Sequence, residues 1–425
     1  MAFHGTKDLL ALEFAKWIRA LNRREKIGLY LSDVTGAFDH VDTSKLMSKL
    51  ENRGIRGKAL LLFKSYLVGR RLAVVVNGEK SEALEISNSV YQGVVFGPTL
   101  WNIFFQEVSI PVHNNDCEDF QYADDNTVSR VYPRASLNDD IIVSMKECQV
   151  SCHQWGAEHR IVFDKSKEFF MVLSAGLSDH SGGFGEPFKN LGVLMDSSLL
   201  MDDYISNLVN RCNWQISIFS RCVSFFSECV LVDLYKAYLL PVIEYGIPAY
   251  FHCCPSRLSK IDAIQNRFLS LLRIAEDVLL LKYNLAPLCY RRRWAIFGLL
   301  FKIAERRAPR LLNDMFTLQS DIIKSSSVSV STRSSLRKHR LALCDPRMEL
   351  TIATYGVSKD LDIFIRSIFG QVSEFNKIAP EIIDNSPTVH IFQRKLQAAY
   401  KEKIRFPKQL HSRNNSSRSS INIYY

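Results

Sequence analysis

The alternation of apolar and polar positions separates a mixed first half of the chain from a helical second half. Over residues 8–25 (DLLALEFAKWIRALNRRE) apolar side chains recur at helical spacing and end in a basic cluster, which predicts an amphipathic helix. IGLYLSDV (27–34) is a short apolar run that predicts a strand carrying Asp33 at its end. A helix over 44–68, interrupted near Gly54, and a hairpin over 71–86 turning at Asn77-Gly78 come next. Residues 98–112 read as helix. In FQYADDNTV (120–128), strand formers flank Asp124 and Asp125, which places the two acids at a hairpin tip. The pattern then predicts a helix over 138–159, a strand over 161–173 and a Gly/Ser loop over 175–186. Beyond residue 202 it predicts helices over 203–225, 227–245, 257–275 and 291–306, and a helical unit over about 360–403. The Ser-rich basic stretch 321–345 suits an exposed linker or strand pair, and the polar tail from 406 suits disorder. Strands and helices alternating through the first 200 residues predict an α/β or α+β domain.

Composition narrows this picture modestly. A chain of 425 residues with 47% apolar content supports two or three units with real cores. Its 54 Lys and Arg against 44 Asp and Glu leave a net charge of +10, which suits a polyanion such as nucleic acid without establishing one. No apolar run reaches the roughly 18 residues of a membrane span, and the first residues lack the pattern of a signal peptide. The expectation is therefore no membrane and a nuclear or cytoplasmic protein. The ten cysteines form no paired CxxC spacing, which argues against a zinc module; His252-Cys253-Cys254 is a cluster with histidine.

The chemistry concentrates in the acids. Two adjacent carboxylates repel each other, and a turn requires neither of them as a pair. Nucleotidyl transfer, by contrast, commonly uses two divalent ions roughly 3.5–4 Å apart, bridged by carboxylates converging from different strands. Asp33 and Asp124 would supply such a bridge with Asp125 beside them, the metals offsetting the repulsion. The plain alternatives are that ADDN is ordinary turn chemistry and that Asp33 caps a helix. YQGVVFGPTLWNIF (91–104) adds Gly93 and Gly97-Pro98 ahead of a helix, either a site of close backbone approach to a ligand or a simple loop-to-helix turn.

In this order, LSDVTGAFDHVD, YQGVVFGPTLWNIF and FQYADDNTV resemble the three central palm motifs of reverse transcriptases. They look most like those of retrotransposons without long terminal repeats, the LINE-like or jockey-like mobile elements. WGAEHRIVFDKSKEFFMVLS (155–174) is similar to the next palm segment, with Lys167 at the family's lysine, and FKNLGVLMDSSLLMDDYI (188–205) to the element leading into the thumb. LYKAYLLPVIEYGIPAY (234–250), LSKIDAIQNRFLSLL (258–272) and LAPLCYRRRWAIFGLL (285–300) look like the helical thumb and the region downstream of it. FNKIAPEIIDNSPTVHIFQRKLQ (375–397) resembles a C-terminal element of those polymerases.

The resemblance implies an α+β polymerase palm, an antiparallel sheet with packed helices, followed by a helical thumb and a mostly helical C-terminal region. The expected boundaries are palm with residual fingers over 1–200, thumb over 201–315, helical region over 316–405 and tail over 406–425. The implied activity is RNA-directed DNA polymerase, acting on dNTPs with an RNA template and DNA primer and using Mg²⁺ or Mn²⁺. Asp33, the backbone carbonyl of Val34, Asp124 and, more weakly, Asp125 would be the metal ligands. Phe38 would lie under the incoming sugar and exclude a 2′-hydroxyl; otherwise it is a core aromatic. Gln92 and Gly93 would line nucleotide and template, Tyr122 would pack near the primer end, and Lys167 would protonate the leaving pyrophosphate. Arg291, Arg292, Arg293, Lys302 and Arg306, with Arg307 and Arg310, would track a phosphate backbone, or form an ordinary solvated face.

The sequence departs from the family at several points. Tyr91 stands where Pro is usual, Val94 where a small residue is usual, Phe96 where Leu is common and Tyr204 in place of a thumb-entry His. The usual Trp-Asn-x-Leu-Pro appears as Phe375-Asn376-Lys377-Ile378-Ala379-Pro380. Only about 30 residues precede Asp33, whereas the family's triphosphate-gripping fingers segments come before that motif, so an N-terminally truncated element is expected. The competing expectation is an inactive remnant that binds nucleic acid without extending a primer. A different palm enzyme, such as a group II intron maturase or a viral RNA-templated polymerase, is disfavoured by the LPVIEYGIPAY region.

Overall fold

The computed structural model describes residues 5–86, 88–175, 183–325, 339–346 and 362–405. The predicted 175–186 loop, the 321–345 stretch and the tail from 406 fall wholly or largely outside them. The described residues are a mixture of helix and sheet, divided into two units: Arg24–Asn190 with Asp196–Ser198, and the described parts of Met1–Arg23, Leu191–Met195 and Leu199–Tyr425.

In chain order the first elements are α1 (Thr6–Asn22), β1 (Lys26–Ser32), α2 (Thr43–Asn52), α3 (Gly57–Leu67), β2 (Arg70–Leu72), β3 (Val75–Val76), β4 (Glu79–Lys80) and β5 (Leu84–Ile86). After them come α4 (Gly97–Phe105), α5 (Ser109–Asn114), β6 (Glu118–Tyr122), β7 (Asp125–Tyr132), α6 (Asn138–His159) and β8 (Phe169–Leu173). A four-stranded antiparallel sheet in the order β6-β7-β1-β8 is the frame of the first unit. Every residue of β1 is buried, as an apolar run flanked by strands on both edges requires. Its register sets Ser32 opposite Asn126 on β7 and Leu31 opposite Phe169 on β8.

Helix α6 covers this sheet. Its buried Ile141, Met145, Cys148, Cys152 and Trp155 are spaced by four and three residues, a single stripe along the helix. Asp139 and Asp140 in its first turn complement the helix dipole. The approach to β1 is close at Gly28, where a Cβ would stand 2.7 Å from Ile141 Cγ2 and 3.0 Å from Met145 Cγ. Helices α2 and α4 extend the core through Leu46, Leu50, Leu100, Trp101, Phe104 and Phe105.

Two local expectations change. The strand expected over 161–173 shortens to β8. Asp164 accepts the Ser166 amide at 3.0 Å and its hydroxyl at 2.6 Å, drawing Lys165–Lys167 into a 3₁₀ turn in place of a ladder. Upstream of that turn, only a single bridge joins Phe163 to Val34. In the second unit, a helix at Glu276–Tyr283 lies between the helices expected over 257–275 and 291–306, and the helical stretch after residue 227 contains a π turn at Tyr235–Leu239 just ahead of Pro241. Proline lacks the N–H of a regular helical turn, a known cause of such irregularity. Elsewhere in this unit long helices at Asp202–Cys222, Pro255–Leu272, Leu288–Ala304 and Val389–Arg405 pack around Phe268, Leu300, Phe301 and Phe392.

Candidate active site

Tyr122 and Asp125 pair directly, so Ala123 and Asp124 alone make the turn between β6 and β7. Asp124 is therefore a turn residue and Asp125 the first residue of β7, and the two acids face different surroundings. Asp124 lines a cleft of about 730 Å³ together with Asp33, Val34, Phe38, Gln92, Gly93, Val94, Pro98, Asp164 and Lys167. Asp125 lines a smaller neighbouring cleft of about 190 Å³ with Ser32, Asn126, Thr127, Lys189 and Asn190. Asp33 and Lys167 border both.

Sheet geometry explains the convergence. Ser32 opposite Asn126 brings Asp33, the next residue, alongside the start of β7. At the Val34–Phe163 bridge the two hydrogen bonds run from the Asp164 amide to the Asp33 carbonyl and from the Thr35 amide to the Val162 carbonyl, both at 2.9 Å. Because N–H and C=O groups alternate sides along a strand, the Val34 carbonyl points away from Phe163, toward the hairpin edge.

Neighbouring groups shift Asp125, Asp164 and Lys167 from their ordinary values. Partial burial, then the neighbouring Asp124 and Asp33, push the Asp125 carboxyl up, and Lys167 opposes this. The Lys167 ammonium donates to Asp33 Oδ2 at 2.6 Å and lies 3.7 Å from Asp164, and its hydrogen bond to Asp33 holds its own pKa up. The Ser166 hydrogen bonds hold the Asp164 carboxyl down. Phe38 is half-buried in the wall of the larger cleft, 5.9 Å from the Trp101 ring, and its carbonyl accepts the Val90 amide. Gly93 has φ +81, a conformation that favours glycine in the loop feeding α4. Tyr122 is exposed at the end of β6.

Among the described residues, no three His, Cys, Asp or Glu side chains group as a ready-made metal site. Two carboxylates and a backbone carbonyl still suit Mg²⁺, which commonly takes one or two carboxylates and completes its shell with water and substrate phosphate. Outside this cleft, His252 Nε2 bonds the Leu199 carbonyl, Cys253 the Leu200 carbonyl, and Cys254 contacts Ser256 and Arg257.

The basic candidates lie in the second unit. Arg291 bonds Glu244 at 2.5 Å, the buried Arg292 grips Asp262 through both nitrogens at 2.6 and 2.9 Å, and Lys302 bonds Asp8 at 2.5 Å. Arg306 caps the Asn313 carbonyl and reaches Asp321 at 3.5 Å; Arg307 bonds the Pro387 carbonyl and lies 3.7 Å from Glu305. Arg293 is half-buried, and Arg310 is largely exposed near Asp314. Among the described residues, no helix is long and apolar enough to cross a membrane.

Sequence reasoning passed over Asp164, Asn126, Lys189, Asn190 and Trp101. Asn126 directly follows the acid doublet, and its amide is buried without a hydrogen-bond partner among the described residues. Asp164 carried a signal in DKSK, where an Asp two residues before a Ser favours a local side-chain turn.

Residues 4–195 match the reverse transcriptase (RNA-dependent DNA polymerase) family. The chain is 28% identical over 289 residues to the RNA-directed DNA polymerase from mobile element jockey of Drosophila melanogaster, covering 63% of this chain and 30% of that protein. It is 24% identical over 279 residues to the probable RNA-directed DNA polymerase from transposon X-element of Drosophila melanogaster, with the same coverage. To the putative 115 kDa protein in type-1 retrotransposable element R1DM of that organism it is 24% identical, covering 52% of this chain and 22% of the relative. The chain thus spans less than a third of the length of these relatives. Among solved structures, a telomerase from Candida albicans matches 79% of this chain and 52% of its own at 14% identity, with a TM-score of 0.30, too low to bear on the fold. Over residues 4–195 the chain is thus similar to reverse transcriptase domains, those of jockey-like retrotransposons without long terminal repeats among them.

Proposed function

We propose that this chain contributes RNA-directed DNA polymerisation, adding dNTPs to a primer 3′-hydroxyl on an RNA template. The observation that carries the reading is that Asp33 and Asp124, 91 residues apart in sequence, line one cleft with Phe38, Gln92, Gly93 and Lys167. The first unit would be the palm, and the helices beyond residue 201 a thumb and C-terminal region.

Asp33, the Val34 carbonyl and Asp124 would hold Mg²⁺ or Mn²⁺, with Asp125 contributing from the adjacent cleft. When bound, the metal supplies a Lewis acid for the attacking hydroxyl and neutralises phosphate charge. Gln92 and the exposed backbone at Gly93 would seat base and sugar, and the Phe38 ring would exclude a 2′-hydroxyl. Lys167, protonated well beyond neutral pH by its bond to Asp33, is a proton source within reach of a departing pyrophosphate. Tyr122 would meet the primer end. Arg293 and Arg310 are the basic residues best placed to meet a phosphate backbone, because Arg291, Arg292 and Lys302 already hold carboxylates and Arg306 is engaged with the Asn313 carbonyl and Asp321.

The test is deoxynucleotide incorporation on a primed RNA template with Mg²⁺ or Mn²⁺, beside Asp124→Asn. Incorporation that the substitution abolishes supports the reading. Template binding without incorporation in either form would instead identify a nucleic-acid-binding remnant.

A further inference from the structure

The turn that presents Asp124 is held in an unfavourable conformation by a residue outside the hairpin. Ala123 has φ +57, a left-handed region that a residue with a Cβ seldom occupies without support. A two-residue connection leaves no slack to place that strain elsewhere. The support comes from Trp101, whose indole Nε1 donates to the Ala123 carbonyl at 2.8 Å. Trp101 is 1% exposed and stacks on Phe105 at 4.9 Å and 15°, so the donor is fixed by the core. The same ring lies 5.9 Å from Phe38 across the cleft wall, and its helix, α4, begins in the loop that carries Gln92 and Gly93.

We propose that Trp101 is a positioning residue for the polymerase site: its indole N–H clamps the Ala123 turn so that Asp124 faces the cleft it shares with Asp33. This rests on the proposed polymerase function. The rival account, a large aromatic that merely fills the core, predicts that ring bulk alone matters and the N–H does not.

Trp101→Phe keeps an apolar ring and removes the donor, so the turn relaxes away from φ +57. Adding Ala123→Gly lets the turn adopt positive φ without a clamp. Mn²⁺ titration without nucleotide, read by electron paramagnetic resonance, should show Trp101→Phe binding roughly two- to tenfold more weakly, the net scale of one hydrogen bond lost at an exposed turn. Primer extension should show kcat falling with little change in the dNTP KM, because the lost interaction places the acid and not the nucleotide. The double variant Trp101→Phe/Ala123→Gly should recover most of the Mn²⁺ affinity. A core-filling role predicts no recovery, since glycine adds no packing.

If wild type binds Mn²⁺ and extends primers while Trp101→Phe matches it, the clamp is overturned. It is likewise overturned if Trp101→Phe is impaired and Ala123→Gly restores nothing. If wild type does neither, the polymerase reading fails on its own, and amide hydrogen exchange decides the clamp. Trp101→Phe should then speed exchange in the 118–128 peptide, and unchanged exchange overturns it.

Discussion

Glu168 offers a quantitative check on how β1, the strand that leads to Asp33, is held. Its carboxylate side chain is only 3% exposed and accepts three hydrogen bonds: from Tyr30 at 2.6 Å, Gln149 at 2.6 Å and His153 at 2.7 Å. Tyr30 lies on β1 three residues before Asp33 and is fully buried, and its ionisation is pushed far up by burial and then by Glu168. Glu168→Leu removes the acceptor of all three bonds. The Tyr30 hydroxyl is buried with the Ser32 hydroxyl as its nearby alternative, and losing its charged partner costs about 1–3 kcal/mol. Gln149 and His153 are partly exposed and recover water, so each should cost well under ~1 kcal/mol. Removing a desolvated carboxylate offsets some of the total. The sum is about 2–4 kcal/mol.

Native-state hydrogen exchange on a peptide spanning Lys26–Ser32 reads this local opening free energy directly. The double-mutant cycle of Glu168→Leu with Tyr30→Phe should return a coupling of about 1.5–3 kcal/mol, the range for hydrogen bonds to a charged group. Glu168 also follows Lys167 in the chain, so the same substitution should loosen the Lys167–Asp33 bond and slow incorporation. A drop below about 1 kcal/mol in β1, or a coupling within the roughly 0.5 kcal/mol of simple additivity, would refute the claim that this carboxylate ties β1 to β8.

Other substitutions probe separate parts of the same frame. Gly28→Ala drives a Cβ to within 3.0 Å of Met145 and Tyr132 and closer to Ile141, and should cost about 1–3 kcal/mol by overpacking, with Gly5→Ala, in open space, as the control in thermal unfolding. Phe38→Val removes the ring from the cleft wall and should raise the rNTP/dNTP ratio of kcat/KM about tenfold or more, the scale of a relieved steric clash; an unchanged sugar preference removes Phe38 from that role. Burial lowers the pKa of His159 and His339 below the ordinary 6.5. The unfolded chain then binds more protons than the folded one below that value, so stability is complete above it and falls on acidification. His159→Gln and His339→Gln should each flatten the acid limb of a stability–pH curve, and a limb as steep as wild type contradicts this assignment.

The parts legible in sequence are those dictated by local pattern. The buried run IGLYLS became an inner strand of the sheet, the Asn77-Gly78 turn joins β3 to β4, and α6 ends at His159 as the sequence pattern predicts. The acid pair was legible as a hairpin tip because strand formers bracket it. Its internal asymmetry was not, because whether an acid turns toward one cleft or the next depends on strand register and turn length, both long-range properties. The 3₁₀ turn at Lys165–Lys167 escaped for a different reason: a side chain outcompeted the ladder for backbone donors, which apolar periodicity does not register.

The basic run shows the same boundary from the charged side. Arg291, Arg292 and Arg293 are indistinguishable as letters, yet the helix distributes them over different faces about 100° apart. Arg292 turns inward and is 4% exposed, where its guanidinium is tolerable only because Asp262 meets both nitrogens. Burial works against its charge, while the Asp262 hydrogen bonds and charge hold its pKa above the ordinary value, so the guanidinium stays charged. Arg291 is half-paired at the surface with Glu244, and Arg293 remains available to solvent. A count of positive residues thus overstates the charge a phosphate backbone would meet. What matters is how many carboxylates the fold brings to the same helix, and for this one Glu244 and Asp262 come from segments 47 and 30 residues away.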